Sequence, residues 1–181
     1  MKFIPQSIPD VLLIELIVHR DERGYLVETF RQDMLDQILG YKVNFIQDNE
    51  SKSISRGILR GLHYQSPPYT QSKLVRVIKG KVLDVAVDLR KKSHTFGKYV
   101  AVKISHKDDF SFYIPEGFAH GFLCLSKECT VNYKCSQYRN ELSEKTLAWD
   151  DKDVNINWPI KKPILSDKDK KLALHLKDFQ I

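Results

Sequence analysis

The stretch Leu59-Arg60-Gly61-Leu62-His63-Tyr64-Gln65 places a titratable base, a permanent cation and a glycine in a segment that otherwise reads as a β-strand. A histidine can take up and return a proton at neutral pH with little tuning, which makes His63 a candidate general base. Arg60 adds a charge that is not lost and a planar fork suited to phosphate or a developing oxyanion. Together they point to proton chemistry on an anionic substrate. A strand with a buried, satisfied histidine and a surface arginine fits the heptapeptide equally well.

Other candidates for chemistry are spread along the chain. Pro115-Glu116-Gly117-Phe118-Ala119-His120-Gly121-Phe122 predicts a tight turn that delivers His120 into the start of a strand, although a loop histidine can also simply cap carbonyls. In the strand Thr130 to Cys135, Val131, Tyr133 and Cys135 share one face, and a tyrosine there is ordinarily core packing with a satisfied hydroxyl. Ser166 followed by Asp169 resembles a capping box opening a helix through Leu176, which would leave Asp169 as an N3 carboxylate.

The elements that must position these residues are mostly strands. An apolar strand from Val11 to Val18 leads to the charged turn His19 to Gly24 and a returning strand, Tyr25 to Phe30. Gln32 to Leu39 predicts a short amphipathic helix ended by Gly40. From Val43 onward, runs of β-branched and aromatic residues alternate with turn signals, which argues for a sandwich or barrel. Lys73 to Ile78 and Val82 to Leu89 predict a hairpin about Lys79-Gly80-Lys81. In its second strand Leu83, Val85, Val87 and Leu89 face one way and Asp84 and Asp88 the other. Solvent is the simpler assignment for that polar face, a ligand cavity the alternative. Arg60 and His63 should point to opposite faces of a regular strand; either Gly61 hosts a bulge that re-aims one of them, or Arg60 acts from the rim.

The 181 residues, read as one domain over 1–181, are enough to bury roughly 70% of the unfolded surface. Three cysteines without Cys-x-x-Cys spacing suggest neither a disulfide framework nor a structural zinc site, and the expected setting is the cytoplasm. No run is apolar and long enough for a membrane span. The net charge of +6 is scattered, which disfavours nucleic acid and suits a small phosphate-bearing ligand.

Arg56 to Gln65, Val82 to Arg90 and Ile114 to Phe122 together resemble the dTDP-4-dehydrorhamnose 3,5-epimerase family. So do His19 to Glu28, Gln47-Asp48-Asn49, Tyr133-Lys134 and Leu165 to Asp169, in the same order. The resemblance covers essentially the whole chain. It implies a mainly β protein, a cupin-type jelly-roll barrel with short flanking helices, that dimerises with each pocket completed by the partner chain. It further implies a nucleotide-diphosphate 4-keto sugar as substrate. His63 is then the base that removes protons beside the ketone, Asp169 its orienting partner, Tyr133 the acid on the opposite face, with Lys73 and His120 near the sugar and its enolate. Arg23, Glu28, Gln47, Asn49, Arg60 and Lys168 are implied to hold the nucleotide diphosphate. The chemistry agrees, because a proton next to a ketone becomes removable once a fixed cation stabilises the enolate, and inversion needs a separate acid on the far face. No redox cofactor or metal is required.

Three alternatives share the barrel: a C3-only epimerase, a metal-dependent cupin isomerase or oxygenase using His63 and His120 as ligands, and a sugar-nucleotide-binding module without activity. The absence of a His-x-His pair weighs against the metal-dependent one. The resemblance also implies a thymine-stacking tyrosine six residues beyond Tyr133, yet this chain has Arg139 there and Tyr138 one position early. A one-residue adjustment of the loop from Gln137 to Asn140 can restore stacking by Tyr138, and an arginine plane can itself stack on a base. An arginine also offers donors to the O6 and N7 of guanine, which opens the reading of a nucleotide other than dTDP, with GDP first.

Overall fold

Why the chain forms strands is plain from the alternation of apolar residues after Val43, and the structure, a computed structural model that describes residues 1–179, bears it out. The elements are β1 (Lys2–Pro5), β2 (Leu12–Glu15), β3 (Val18–Asp21), β4 (Gly24–Val27), α1 (Gln32–Leu39), β5 (Gln47–Ser53), β6 (Leu59–Gln65), β7 (Lys73–Lys79) and β8 (Lys81–Asp88). They continue with β9 (Tyr99–Ser105), β10 (Phe110–Ile114), β11 (Phe118–Cys124), β12 (Cys129–Cys135), β13 (Glu144–Leu147), α2 (Asp167–Lys171) and β14 (Ala173–Leu174).

Two six-stranded sheets face each other, one in the order β1-β2-β10-β7-β12-β5 and the other β14-β13-β6-β11-β8-β9. Neighbours in space are distant in sequence, as β10 returns between β2 and β7 and β11 between β6 and β8. This is the connectivity of a cupin-type jelly roll. Val75, Val77, Phe112 and Val131 of the first sheet meet Val82, Ala86, Val100, Phe118 and Phe122 of the second in the barrel interior. Burying such side chains supplies roughly 1.5–3 kcal/mol each, the main force closing the two layers.

The predicted alternation along β8 holds, but its polar side is not in solvent. Leu83, Val85, Val87 and Leu89 pack under the C-terminal segment with Leu147, Val154, Leu176 and Phe179. Asp84 and Asp88, on the other side, are fully buried inside the barrel. Asp88 is stabilised there by Arg90, Ser93 and Thr95 at 2.8, 2.7 and 2.6 Å. At the Asp84 end the barrel is hollow.

The helix at Gln32–Leu39 is present and ends as expected, with Gly40 at φ +73° donating its N–H to Asp36 O. The C-terminal helix is shorter than predicted. Ser166 caps α2, but the helix stops at Lys171 because Ala173–Leu174 leaves it to pair in parallel with β13. The apolar run Val11 to Val18 divides into β2, which joins a sheet, and β3, which pairs only with β4 as a separate ribbon. All three cysteines are free and buried. Among the described residues no helix is long and apolar enough to cross a membrane.

Candidate active site

The site begins with an irregularity in one strand pair. β6 and β11 run antiparallel with His63 opposite His120 and Arg60 opposite Phe122, so β6 spends three steps where β11 spends two. That extra residue is a bulge, and it brings Arg60 and His63 onto one cavity despite their odd separation. Gly61 sits at φ +107°, and a Cβ there would lie 2.6 Å from His120 O and 2.8 Å from the Gly121 Cα. Only glycine fits where the strands approach so closely.

The cavity occupies ≈ 340 Å³ between the two sheets and is lined by Arg60, His63, Lys73, His120, Tyr133 and Asp169, among others. His63 on β6 sets its Nε2 2.7 Å from Asp169 Oδ1, which leaves Nδ1 as the nitrogen open to a ligand. Asp169 is buried, and its backbone N–H donates to the Ser166 hydroxyl at 3.1 Å, so the helix start fixes the carboxylate in place. Burial pushes the Asp169 carboxyl up, but the bond from His63 and the donors of Ser166 and Gly61 outweigh it and hold it below the usual aspartate range. An ionised partner keeps the imidazole oriented and favours the imidazolium that forms when the base accepts a proton.

The opposing sheet supplies the acid and the cation. Tyr133 on β12 is half-buried, and its hydroxyl has no hydrogen-bond partner among the described residues. Burial, with help from Cys135 and Glu144, raises the phenol above its ordinary value, so it stays protonated and able to donate. Lys73 on β7 is buried, makes no ion pair among the described residues, and is pushed down from the ordinary lysine range by burial. His120 is also buried, with Nε2 2.8 Å from Asp84 Oδ1, and burial lowers its pKa against the pull of Asp84. Base and acid therefore stand on facing sheets, with a cation beside the gap. A substrate held between them can lose a proton on one face and receive one on the other.

At the rim, Lys168 and Arg139 both bond to Glu144. Burial pushes Glu144 up, and the two cations outweigh it and keep the carboxylate low. Arg60 uses Nε and Nη2 to bond Ser53 Oγ at 3.2 Å and the Lys52 carbonyl at 2.7 Å, tying β6 to β5 of the other sheet.

Of the residues expected from sequence, His63, Lys73, Tyr133, Asp169, Arg60, His120 and Lys168 line this cavity. Gln47 and Asn49 bond to each other on β5, and Asn49 is the register partner of Tyr133, so they flank the cavity without lining it. Arg23 and Glu28 lie elsewhere. Arg23 is spent on Asp21 in the β3–β4 ribbon, and Glu28 borders a separate groove with His19 and Arg31. Tyr138 is exposed. Arg139, offered as a guanine donor, has its guanidinium bonded to Glu141 and Glu144 at the surface. The sequence left the face of Asp84 open between solvent and a ligand cavity, and it did not point to Glu144 or Ser51. Only Asp84 left a signal, its period-two placement with Asp88. Among the described residues no three His, Cys, Asp or Glu side chains converge as metal ligands.

The family model described as dTDP-4-dehydrorhamnose 3,5-epimerase matches residues 5–177. The dTDP-4-dehydrorhamnose 3,5-epimerase of Shigella flexneri is 51% identical over 169 residues, covering 93% of each chain. Among solved structures, the enzyme of the same description from Elizabethkingia anophelis NUHP1 superposes with a TM-score of 0.93 at 43% identity, over 98% of this chain and 97% of that one. The dTDP-6-deoxy-D-glucose-3,5-epimerase of Legionella pneumophila Philadelphia 1, solved in complex with dTDP-4-keto-L-rhamnose, gives 0.93 at 41% identity, over 99% and 94%.

Proposed function

The chain belongs to the dTDP-4-dehydrorhamnose 3,5-epimerase family, and we propose that it epimerises C3 and C5 of a dTDP-linked 4-keto-6-deoxy sugar, an isomerase working without metal or redox cofactor. The observation that carries this reading is the His63–Asp169 pair on one sheet and Tyr133 on the other lining one cavity, which Lys73 also lines. His63 Nδ1 takes the proton next to the ketone. Lys73 meets the enolate oxygen as charge develops, and Tyr133 returns a proton to the opposite face. Arg60 and Lys168 receive the diphosphate, with Gln47 and Asn49 beside the nucleotide and Tyr138 at its outer edge. Arg23 and Glu28, too far from the cavity of their own chain, serve that of a second copy in a homodimer. The cytoplasm, where activated sugars are made, is the setting, and 1–181 acts as one catalytic unit.

Turnover of dTDP-4-keto-6-deoxyglucose in deuterated water, followed by proton NMR, is the test. Deuterium at both C3 and C5 with inversion at each is expected. Deuterium confined to C3 would make the protein a monoepimerase, and none at either carbon would overturn the reading.

A further inference from the structure

Asp84 is a fully buried carboxylate that the mechanism above does not use. One oxygen meets His120 Nε2 at 2.8 Å, and the other, Oδ2, has no partner among the described residues. An ionised carboxylate with one buried oxygen unpartnered by protein is costly, whereas one that shares a proton with its neighbour is less so. Asp84 also lies within electrostatic reach of Lys73, the group assigned to meet the enolate oxygen.

The state of this pair decides what His120 can do. If Asp84 is ionised and His120 neutral, the ring hydrogen is on Nε2, and Nδ1 turns a lone pair toward the cavity. That lone pair repels an enolate oxygen. With one more proton held between Asp84 and Nε2, the pair is neutral as a unit and Nδ1 keeps its hydrogen. Resting on the epimerase reading, we propose that Asp84 is a positioning residue which shares a proton with His120 Nε2 and so makes His120 Nδ1–H a second donor, beside Lys73, to the enolate oxygen. The groups facing His120 are Asp84 on β8, Lys73 on β7, and His63 on β6 backed by Asp169. Burial and the Lys73 and His63 charges all disfavour a charged ring standing alone, which is why the proton needs a carboxylate to share it.

The test uses the intact protein. Nitrogen-15 NMR of the wild type at neutral pH, with the His120 signal identified by its loss in His120→Gln, reads whether Nδ1 is protonated. A protonated Nδ1 is expected, and an unprotonated one overturns the proposal regardless of any activity. Asp84→Ala should lower kcat about 100-fold, the usual cost of one oxyanion donor, with KM and dTDP affinity unchanged. The double variant with His120→Gln should be no slower than His120→Gln alone. Wild-type kcat in Asp84→Ala, or additive losses, would refute the role of Asp84. A wild type that leaves the dTDP sugar unchanged would instead refute the epimerase reading.

Discussion

His63 Nε2 and Asp169 Oδ1 stand 2.7 Å apart although 106 residues separate them in the chain. The carboxylate reaches the histidine because Ser166 caps the helix start that carries it. The side chain that would complete a capping box by turning back to the Ser166 N–H is turned instead to the base.

Asp169→Asn should therefore act on the rate and not on binding. An amide cannot stabilise the imidazolium and can set the wrong tautomer, so kcat should fall on the order of 10³- to 10⁴-fold while KM stays within about twofold. Steady-state kinetics with the dTDP sugar checks this, and an unchanged kcat would return Asp169 to a purely structural part.

Gly61→Ala should remove activity without touching any reacting group. The new Cβ would press on His120 O at 2.6 Å in a φ +107° conformation, and the strand can relieve this only by losing the bulge. Arg60 and His63 would then diverge. A folded variant with turnover at least about 100-fold lower is expected, since small misplacements cost that much. Normal turnover would show that the bulge does not set the site.

Asp88→Ala tests the end of β8, the strand that also carries Asp84. Its carboxyl is buried, which alone raises its pKa, but bonds from Arg90, Thr95 and Ser93 outweigh burial and depress it. Breaking this pair should cost roughly 3 kcal/mol. Because the folded pKa lies below the unfolded value of about 3.9, the stabilisation is complete above that value and is lost as pH falls through the depressed one. The gap in Tm between wild type and variant should hold from pH 8 to about pH 5 and narrow below about pH 4. A gap that persists in strong acid would contradict the assignment.

Arg139 is held by two carboxylates, so nucleotide preference should follow the family. In a thermal-shift panel at equal concentrations, dTDP should raise Tm most, above UDP, GDP and CDP. A larger shift with GDP would restore Arg139 as a base-reading residue.

How much of this was legible from sequence depended on whether the signal was local. The helix at Gln32–Leu39, the turn at Gly80 and the bulge allowed for at Gly61 rest on glycine conformations and side-chain periods that neighbouring residues fix. The hairpin expected from Lys73 to Ile78 and Val82 to Leu89 does not form, because the chain crosses between sheets at Gly80: β7 pairs with β10 and β12, β8 with β11 and β9. The placement of Asp84 was not legible, because alternation shows which residues share a face but not whether that face looks out or in. The same limit applied at the C-terminus, where pairing of β14 with β13 overrode a helical pattern expected through Leu176. The motif placed Arg23 and Glu28 beside the ligand. Within one chain the separate β3–β4 ribbon holds Arg23 away from it, with Glu28 just beyond.

The central claim is that His63 and Tyr133 work on opposite faces of the same sugar. Deuterium uptake and epimerised product, measured in parallel by NMR for Tyr133→Phe and His63→Ala, test it most directly. Tyr133→Phe should still exchange carbon-bound hydrogen while forming little inverted product, and His63→Ala should lose both. Exchange and inversion falling in strict proportion in Tyr133→Phe, or exchange surviving in His63→Ala, would contradict it.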